Sequence, residues 1–536
     1  MPRIKRRAFL RTAAGLGLAG AVGGLNLRSA RAQSRSAPPV EVFIDPARTL
    51  ADLDRRLFGS FLEHIGRAIY GGIFEPGSKL ADQAGYRRDV LDEIRALEVP
   101  MIRYPGGNFV SGYNWLDGVG PREKRPRVLE RAWNSTETNA FGTNEFLDWC
   151  REVKTEPLLA VNLGTGTPET AAALVEYCNV QRGTHYSDLR REHGVTEPWR
   201  VKYWCLGNEM DGPWQIGHMT AAEYGRKAAD AARQMRVIDR DLKLVACGSS
   251  GPFMGTYLEW DRQMLEQCYP EVDGISLHRY FNNTSETGGK TERFLALNLS
   301  MEQQIEETIA VCEYVRARLR SRKKLWLSFD EWNVWYRANN NLDGKRQVAP
   351  PLNEEIYNLE DALLVGGTLN SLIRKAARVR IGCLAQLVNV IAPLLTNEKS
   401  VLRQPIYYPY AWALKYARGQ VLDVAVKSNT YDAPNIGPVP FVDVVGTLDL
   451  PARRLTLLIL NRDLEHEREL SLAWREAPPA KVLTSQVLAG PDLKAVNSFE
   501  QPNRVVPRDL EPPRIAPKTL LKVPSASYSV VQFGLA

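Results

Sequence analysis

Between about residues 57 and 420, short apolar runs alternate with longer stretches in which apolar residues recur at helical spacing. Eight of the runs have strand length: 57–61, 101–104, 158–162, 202–206, 242–247, 274–277, 325–329 and 383–387. Continuous apolar runs mark strands buried on both faces, and the amphipathic segments between them supply covering helices. Helix-start signals fit the same scheme. Thr167-Pro168 places a cap before an N1 proline, and Ser300 with Gln303 has capping-box spacing. Eight such units predict an α/β fold, a (β/α)8 TIM barrel over residues 57–420. The alternative, an open doubly wound sheet, would need a phosphate-type glycine loop.

After residue 420 the pattern changes. The stretches 441–448, 454–460, 470–474, 481–487 and 527–533 alternate or run apolar at strand length, divided by Pro, Asp and Asn turns. No long helical pattern remains, which predicts a C-terminal all-β sandwich, jelly-roll-like, over residues 421–536. The strand-like run 40–44, in an N-terminal segment spanning 33–56, is expected to join that sandwich.

Charge changes the picture at one place. Lys+Arg number 69 against 62 Asp+Glu, yet Arg3, Lys5, Arg6, Arg7, Arg11, Arg28 and Arg31 stand in the first 32 residues with no acid among them. Without those seven the chain balances at 62 of each sign, so no basic face is left to suggest nucleic acid as a partner. The segment Lys5-Arg6-Arg7-Ala8-Phe9-Leu10-Arg11 resembles a twin-arginine export motif. A soft apolar stretch and Ala30-Arg31-Ala32 follow it, in the order of a signal peptide over residues 1–32. This predicts a periplasmic or secreted protein with no membrane anchor, since no apolar run approaches the roughly 20 residues of a span. Gly15, Gly17 and Gly20 match a dinucleotide fingerprint, but no strand precedes them.

At 44% hydrophobic and 9% aromatic the chain suits a large core and excludes a disordered one. Its seven cysteines (Cys150, Cys178, Cys205, Cys247, Cys268, Cys312 and Cys383) are odd in number and widely spread, and they fall in apolar segments. They read as small buried hydrophobes and not as a disulfide framework. Histidine and cysteine do not cluster at ligand spacing, so neither a metal nor a cofactor is expected.

In a barrel, chemistry gathers where strands end. Those ends carry Glu63-His64, Arg103 to Asn108, Asn162, Asn208-Glu209, Ser249-Ser250, His278 with Tyr280, Asp330-Glu331 and Gln386. Glu209 closes the fourth run and Glu331 the seventh, on facing sides of an eight-fold ring. Two facing carboxylates suit glycosidic cleavage, one protonating the leaving oxygen and the other attacking the anomeric carbon. Glu75 and Asp211 read as solvated loop carboxylates.

Four segments carry a family resemblance: Gly59-Ser60-Phe61-Leu62-Glu63-His64-Ile65-Gly66-Arg67, Arg103-Tyr104-Pro105-Gly106-Gly107-Asn108-Phe109, Trp204-Cys205-Leu206-Gly207-Asn208-Glu209-Met210-Asp211-Gly212 and Asp330-Glu331-Trp332-Asn333-Val334-Trp335. The chain from about Val40 onward resembles the α-L-arabinofuranosidases of glycoside hydrolase family 51. The resemblance implies a retaining enzyme acting on arabinose-containing oligo- or polysaccharides, with Glu209 as acid/base and Glu331 as nucleophile. It further implies that Glu63 and Asn108 bind arabinose hydroxyls and that Asn208 binds the 2-OH. Tyr280 would orient the nucleophile, with Arg103 beside the same carboxylate, where a cation favours the charged form. His278 and Gln386 would line the sugar pocket, and Trp133 and Trp335 would wall it, although core packing is the competing role for both tryptophans. A structural role competes likewise for His278. By family analogy the chain would form a homo-oligomer, a hexamer. The leader departs from the family's cytoplasmic habit. Barrels acting on β-xylosides or β-glucans share the Asn-Glu and Glu pair and stand as the alternative.

Overall fold

The eight apolar runs close on themselves. A computed structural model describes residues 39–338 and 346–536. In it Gly59–Phe61 (β1), Met101–Tyr104 (β2), Glu156–Val161 (β3), Tyr203–Leu206 (β4), Lys243–Ala246 (β5), Gly274–Phe281 (β6), Trp326–Val334 (β7) and Val379–Ala385 (β8) form a closed barrel. All eight neighbours pair in parallel, and β8 closes onto β1 through Cys383–Gly59, Leu384–Ser60 and Ala385–Phe61. The strands are buried on both faces, which is why they read as unbroken apolar runs. All seven cysteines are free and buried, as their apolar settings predict.

Two strands run further than the apolar pattern. β6 continues through His278 to Phe281, and β7 continues through Asp330 and Glu331 to Val334. Polar residues stop an apolar run but not a strand, provided the barrel interior satisfies them. The pairing of β6 with β7 also slips: Ser276 faces Ser328, then His278 faces Glu331. One extra residue therefore sits in β7, a bulge that turns consecutive residues Asp330 and Glu331 toward the same interior.

Helix starts are met in part. Pro168–Asn179 begins at Pro168 with Thr167 accepting from the Thr170 amide. Ser300, by contrast, lies inside the helix Leu297–Arg318, where its hydroxyl donates to the Leu297 carbonyl at 2.6 Å, so it caps nothing.

The C-terminal strands build two large sheets and the small pair Thr430–Ala433 with Gly437–Pro440. One has seven strands, among them Val442–Asp449, Arg454–Asn461, Lys481–Leu488 and Ser527–Gly534. The other has four: Ala425–Lys427, Val40–Ile44, Arg468–Trp474 and Lys518–Val523. Val40–Ile44 lies parallel to Arg468–Trp474, and its inward Val40, Val42 and Ile44 share a core with Leu470, Leu472 and Val531. Lys518–Val523 escapes the sequence pattern because its alternation is inverted at the centre. Thr519 points in, bonded to the Trp474 indole, while Leu520 is 50% exposed.

The helix Leu359–Arg374 is buried almost all round because it lies between the barrel strands and the seven-stranded sheet. Gly366 permits that approach: a Cβ there would meet the Tyr528 ring at 2.6 Å. The Tyr528 hydroxyl donates to Asn370 on the same helix at 3.0 Å. Among the described residues no helix is long and apolar enough to cross a membrane. Gly366→Ala should lower the thermal unfolding midpoint, since overpacking of about 1–3 kcal/mol exceeds the roughly 1 kcal/mol gained in helix propensity. An unchanged or raised midpoint would show that this contact does not limit the packing.

Candidate active site

The bulge in β7 delivers two acids to one buried cation. Arg103, 1% exposed on β2, donates through Nη1 to Glu331 Oε1 at 2.6 Å and through Nη2 to Asn208 Oδ1 at 2.7 Å. Its Nε lies 3.8 Å from Asp330 Oδ2, and its guanidinium packs over the Phe61 ring. Burial opposes the charge on Arg103, but the Asp330 and Glu331 carboxylates outweigh it and hold the proton firmly. Tyr280 on β6 donates to the other oxygen of Glu331, Oε2, at 2.8 Å. Each oxygen of Glu331 thus has its own donor.

A second cation lies between the remaining acids. His278 Nδ1 is 2.9 Å from Glu209 Oε1, and its Nε2 is 3.2 Å from Asp330 Oδ1. Burial pulls the imidazole pKa down, yet the nearby Glu331, Asp330 and Glu209 bring it up to about 10. With carboxylates at both nitrogens, both must donate, and the ring is an imidazolium. Asp330 is fully buried, which alone would raise it; Arg103 and His278 hold it below the usual carboxylate range. For Glu209, burial prevails over the bond from His278 and raises its pKa. Glu209 follows Gly207 (φ 91°) and itself takes φ 44°, a conformation costing roughly 1–2 kcal/mol for a residue with a Cβ. That turn brings its carboxylate back over the barrel mouth. Its Oε2 accepts from Trp214 Nε1 at 2.8 Å.

Glu63, at the end of β1, is buried with Oε1 accepting from the Phe109 amide at 2.8 Å and from Trp133 Nε1 at 3.0 Å. Desolvation pushes its carboxyl up to about 8. A Cβ on Gly107 would fall 2.4 Å from Glu63 Oε2, so this loop needs glycine. Asn108 lies beside Asn208, 3.4 Å between Oδ1 and Nδ2, and Gln386 accepts from the Glu63 amide at 3.0 Å. Trp335 meets Tyr280 edge-on with ring centroids 5.0 Å apart. Glu63, Asn108, Trp133, Glu209, His278, Tyr280, Glu331, Trp335 and Gln386 all line one cavity of about 800 Å³. Arg103 and Asn208 sit beneath it, joined to its wall through Glu331 and Asn108. The eleven candidate residues therefore converge on one place.

Other polar residues at strand ends do different things. Asn162 ties its loop to the one after β2, donating to the Tyr113 carbonyl as well as to Thr165. Asp211 is not a solvated loop acid: it accepts from the Ser249 hydroxyl at 2.9 Å and from the Ser250 amide at 3.1 Å, latching the loops after β4 and β5. Glu75 pairs with buried Arg87 at 3.2 Å. His64 bridges Glu137 and Tyr104, both at 2.8 Å. Three residues of the site carry no assignment from the sequence. Asp330 was visible beside Glu331, and Trp214 lies two residues beyond the motif that holds Glu209. Asn353, which accepts from the Trp335 indole at 3.2 Å, gives no sequence signal. Glu209, His278 and Glu331 bring ligand-type atoms within 4.8 Å of one another, a spacing a metal ion could use.

Residues 93–296 match a family model described as the α-L-arabinofuranosidase 1 domain, and residues 330–527 match the α-L-arabinofuranosidase C-terminal domain. The chain is 47% identical over 472 residues to an intracellular exo-α-(1→5)-L-arabinofuranosidase 1 of Bacillus subtilis (strain 168), covering 87% of this chain and 93% of that one. It superimposes on a family 51 α-L-arabinofuranosidase from Bifidobacterium longum with a TM-score of 0.87, at 39% identity, over 92% of this chain and 99% of the other. The chain belongs to the family 51 α-L-arabinofuranosidases. A relative from Halalkalibacterium halodurans, 46% identical over 85% of this chain and 91% of its own length, is also named an intracellular exo-α-(1→5)-L-arabinofuranosidase. These relatives contradict the periplasmic or secreted location expected from residues 1–32, since both are named intracellular. The leader pattern itself lies outside the described residues. Paired arginines and an Ala-x-Ala triplet are short enough to arise in any Arg- and Ala-rich stretch, which is why that reading misled.

The raised carboxyl of Glu63 has a thermodynamic consequence. Between the ordinary 4.5 and about 8, folded Glu63 holds a proton that the unfolded chain releases, so its contribution weakens folding as pH rises through that window. Calorimetry at pH 6 in buffers of different ionisation enthalpy should show Glu63→Gln releasing about one proton fewer on unfolding than the parent. Equal release would mean that Glu63 is ionised in the folded protein.

Proposed function

We propose that this chain hydrolyses terminal non-reducing α-L-arabinofuranosides with retention, using Glu331 as nucleophile and Glu209 as acid/base. The observation that carries retention is the separation of the two groups. An oxygen of Glu209 lies within 4.8 Å of an oxygen of Glu331. Retaining glycosidases hold their carboxyls about 5–5.5 Å apart, whereas inverting ones leave about 6.5–9.5 Å for a water. Burial raises the Glu209 carboxyl, the direction that favours its holding a proton for the leaving oxygen. Glu331, with Arg103 and Tyr280 each bonded to one oxygen, is held in one orientation for attack.

The steps follow. Glu331 attacks the anomeric carbon while Glu209 protonates the departing oxygen, leaving a glycosyl-enzyme. Glu209, now a carboxylate, takes a proton from water, and that water releases arabinose by attacking the same carbon. Glu63, Asn108 and Asn208 are read as binding the sugar's hydroxyls, with His278 and Gln386 lining the pocket and Trp133 and Trp335 as its flat walls. Arabinan, arabinoxylan and oligosaccharides derived from them are the substrate class, and the relatives named exo-α-(1→5) enzymes make α-(1→5)-linked arabino-oligosaccharides the first to test. A homo-oligomer, hexameric by family analogy, belongs to the same reading, and light scattering tests it.

Nitrophenyl α-L-arabinofuranoside should be cleaved in the presence of EDTA, and the corresponding xyloside and glucoside should not. Proton NMR should show the α-anomer of arabinose formed first. An inverted first product would end the double-displacement reading, and loss of activity in EDTA would refute the metal-free one.

The two glutamates should separate by variant. Glu331→Ala should be almost inactive on every substrate, because no covalent intermediate forms without a nucleophile. Glu209→Ala should lose about 10²–10⁴-fold on arabino-oligosaccharides and far less in the first step on aryl leaving groups of low pKa. Azide needs no general base, so it should restore turnover of Glu209→Ala and give an arabinosyl azide of retained configuration. Rescue of Glu331→Ala instead, with inverted configuration, would reverse the two roles.

A further inference from the structure

The loops after β4 and β5 are tied to one another. Asp211 on the first accepts from Ser249 and Ser250 on the second, and each loop then presents an aromatic ring at the rim of the cavity. Trp214 is 45% exposed and Phe253 is 72% exposed, with ring centroids 6.2 Å apart. Both rings fold back over glycines. A Cβ on Gly212 would meet the Trp214 ring at 2.5 Å, and one on Gly251 would meet the Phe253 ring at 2.6 Å. Large exposed rings at a saccharide cleft are a ready surface for the apolar face of a sugar.

Trp214 also touches the acid. Both oxygens of Glu209 are occupied by donors, Oε1 by His278 Nδ1 and Oε2 by Trp214 Nε1. A carboxyl that is to give up a proton must carry it on one oxygen, and an N–H aimed at that oxygen opposes it. His278 cannot yield, because it is 2% exposed and fixed through its other nitrogen by Asp330. Trp214, on the exposed shelf, can.

We infer that Trp214 is a positioning residue: in the free enzyme its indole N–H holds Glu209 Oε2, and a leaving saccharide docking on the Trp214–Phe253 shelf turns the indole aside and frees that oxygen for proton transfer. The inference rests on Glu209 being the acid/base. The titratable groups facing Glu209 are His278 and Tyr280 on β6 and Glu331 on β7; Asp211 on its own loop is turned to the serines. Trp214→Phe leaves all of these in place and keeps an aromatic ring on the shelf, while removing the donor.

The test is the alkaline limb of the pH profile, read with methyl α-L-arabinofuranoside, whose leaving group is too small to cover the shelf, and with an α-(1→5)-linked arabinofuranosyl disaccharide. A donor to the ionised carboxylate lowers its pKa, so Trp214→Phe should move the kcat/KM limb up by about one pH unit with both substrates. In the parent enzyme the kcat limb should lie higher with the disaccharide than with the methyl glycoside; in Trp214→Phe the two should coincide. Phe253→Ala should raise KM for the disaccharide only. A kcat/KM limb that stays in place in folded Trp214→Phe, or parent kcat limbs that coincide for the two substrates, would overturn the inference. The underlying reading fails in a different way: Glu209→Ala would then cleave the methyl glycoside at the parental rate, with no response to azide.

Discussion

The barrel mouth is organised by the need to neutralise one buried guanidinium. Arg103 is 1% exposed, and a charge so placed is tolerated only when paired and hydrogen-bonded. β2 fixes the arginine, and the bulge in β7 answers it by turning both Asp330 and Glu331 inward. Two acids against one cation would leave an excess negative charge, and His278 supplies the second positive one. The amide oxygen of Asn208 accepts from Nη2 of Arg103. Removing one partner from such a set leaves an uncompensated charge and costs about 3–5 kcal/mol. The residues beneath the cavity are therefore held as a unit before any substrate arrives.

The frame that holds them is extended beyond the barrel. Leu359–Arg374 feeds β8 and is clamped between the barrel and the seven-stranded sheet, where Asn370, Gly366 and Gly367 meet Tyr528 and Leu460. A helix covered on both sides has little freedom to shift, and neither does the strand that follows it. Gln386, immediately after β8, inherits that rigidity and passes it to Glu63 through the Glu63 amide.

Much of this was legible in the chain, for identifiable reasons. Parallel strands buried on both faces leave unbroken apolar runs, and all eight were visible as such. Polar residues at the ends of those runs marked the site, because the barrel interior is the one place where a strand can end on Glu, Asn or His without facing bulk solvent. What stayed hidden depended on side chains satisfying each other across strands. β6 and β7 run on past His278 and Glu331, and nothing in a linear pattern shows that these residues answer one another. The bulge is invisible for the same reason. Asp211 looked like a solvated acid because its partners, Ser249 and Ser250, come from the next strand's loop. Lys518–Val523 was missed because a buried hydrogen-bonded threonine and an exposed leucine invert the expected alternation. The leader pattern failed differently: it was local, short and compositional, with no packing to test it.

Asp330 and Glu209 show how the same imidazolium can sit between two carboxyls and leave them in different states. Both accept from His278, and desolvation raises each of them. The difference is Arg103. Its guanidinium reaches Asp330 and not Glu209, and that added attraction turns Asp330 to the low side of the usual range while Glu209 stays on the high side. Pushing neighbouring acids apart in this way is how a single pocket comes to hold carboxyls of different acidity. The sorting requires no special chemistry in either acid. It follows from which strand carries the arginine, and from a bulge that brings one aspartate within its reach.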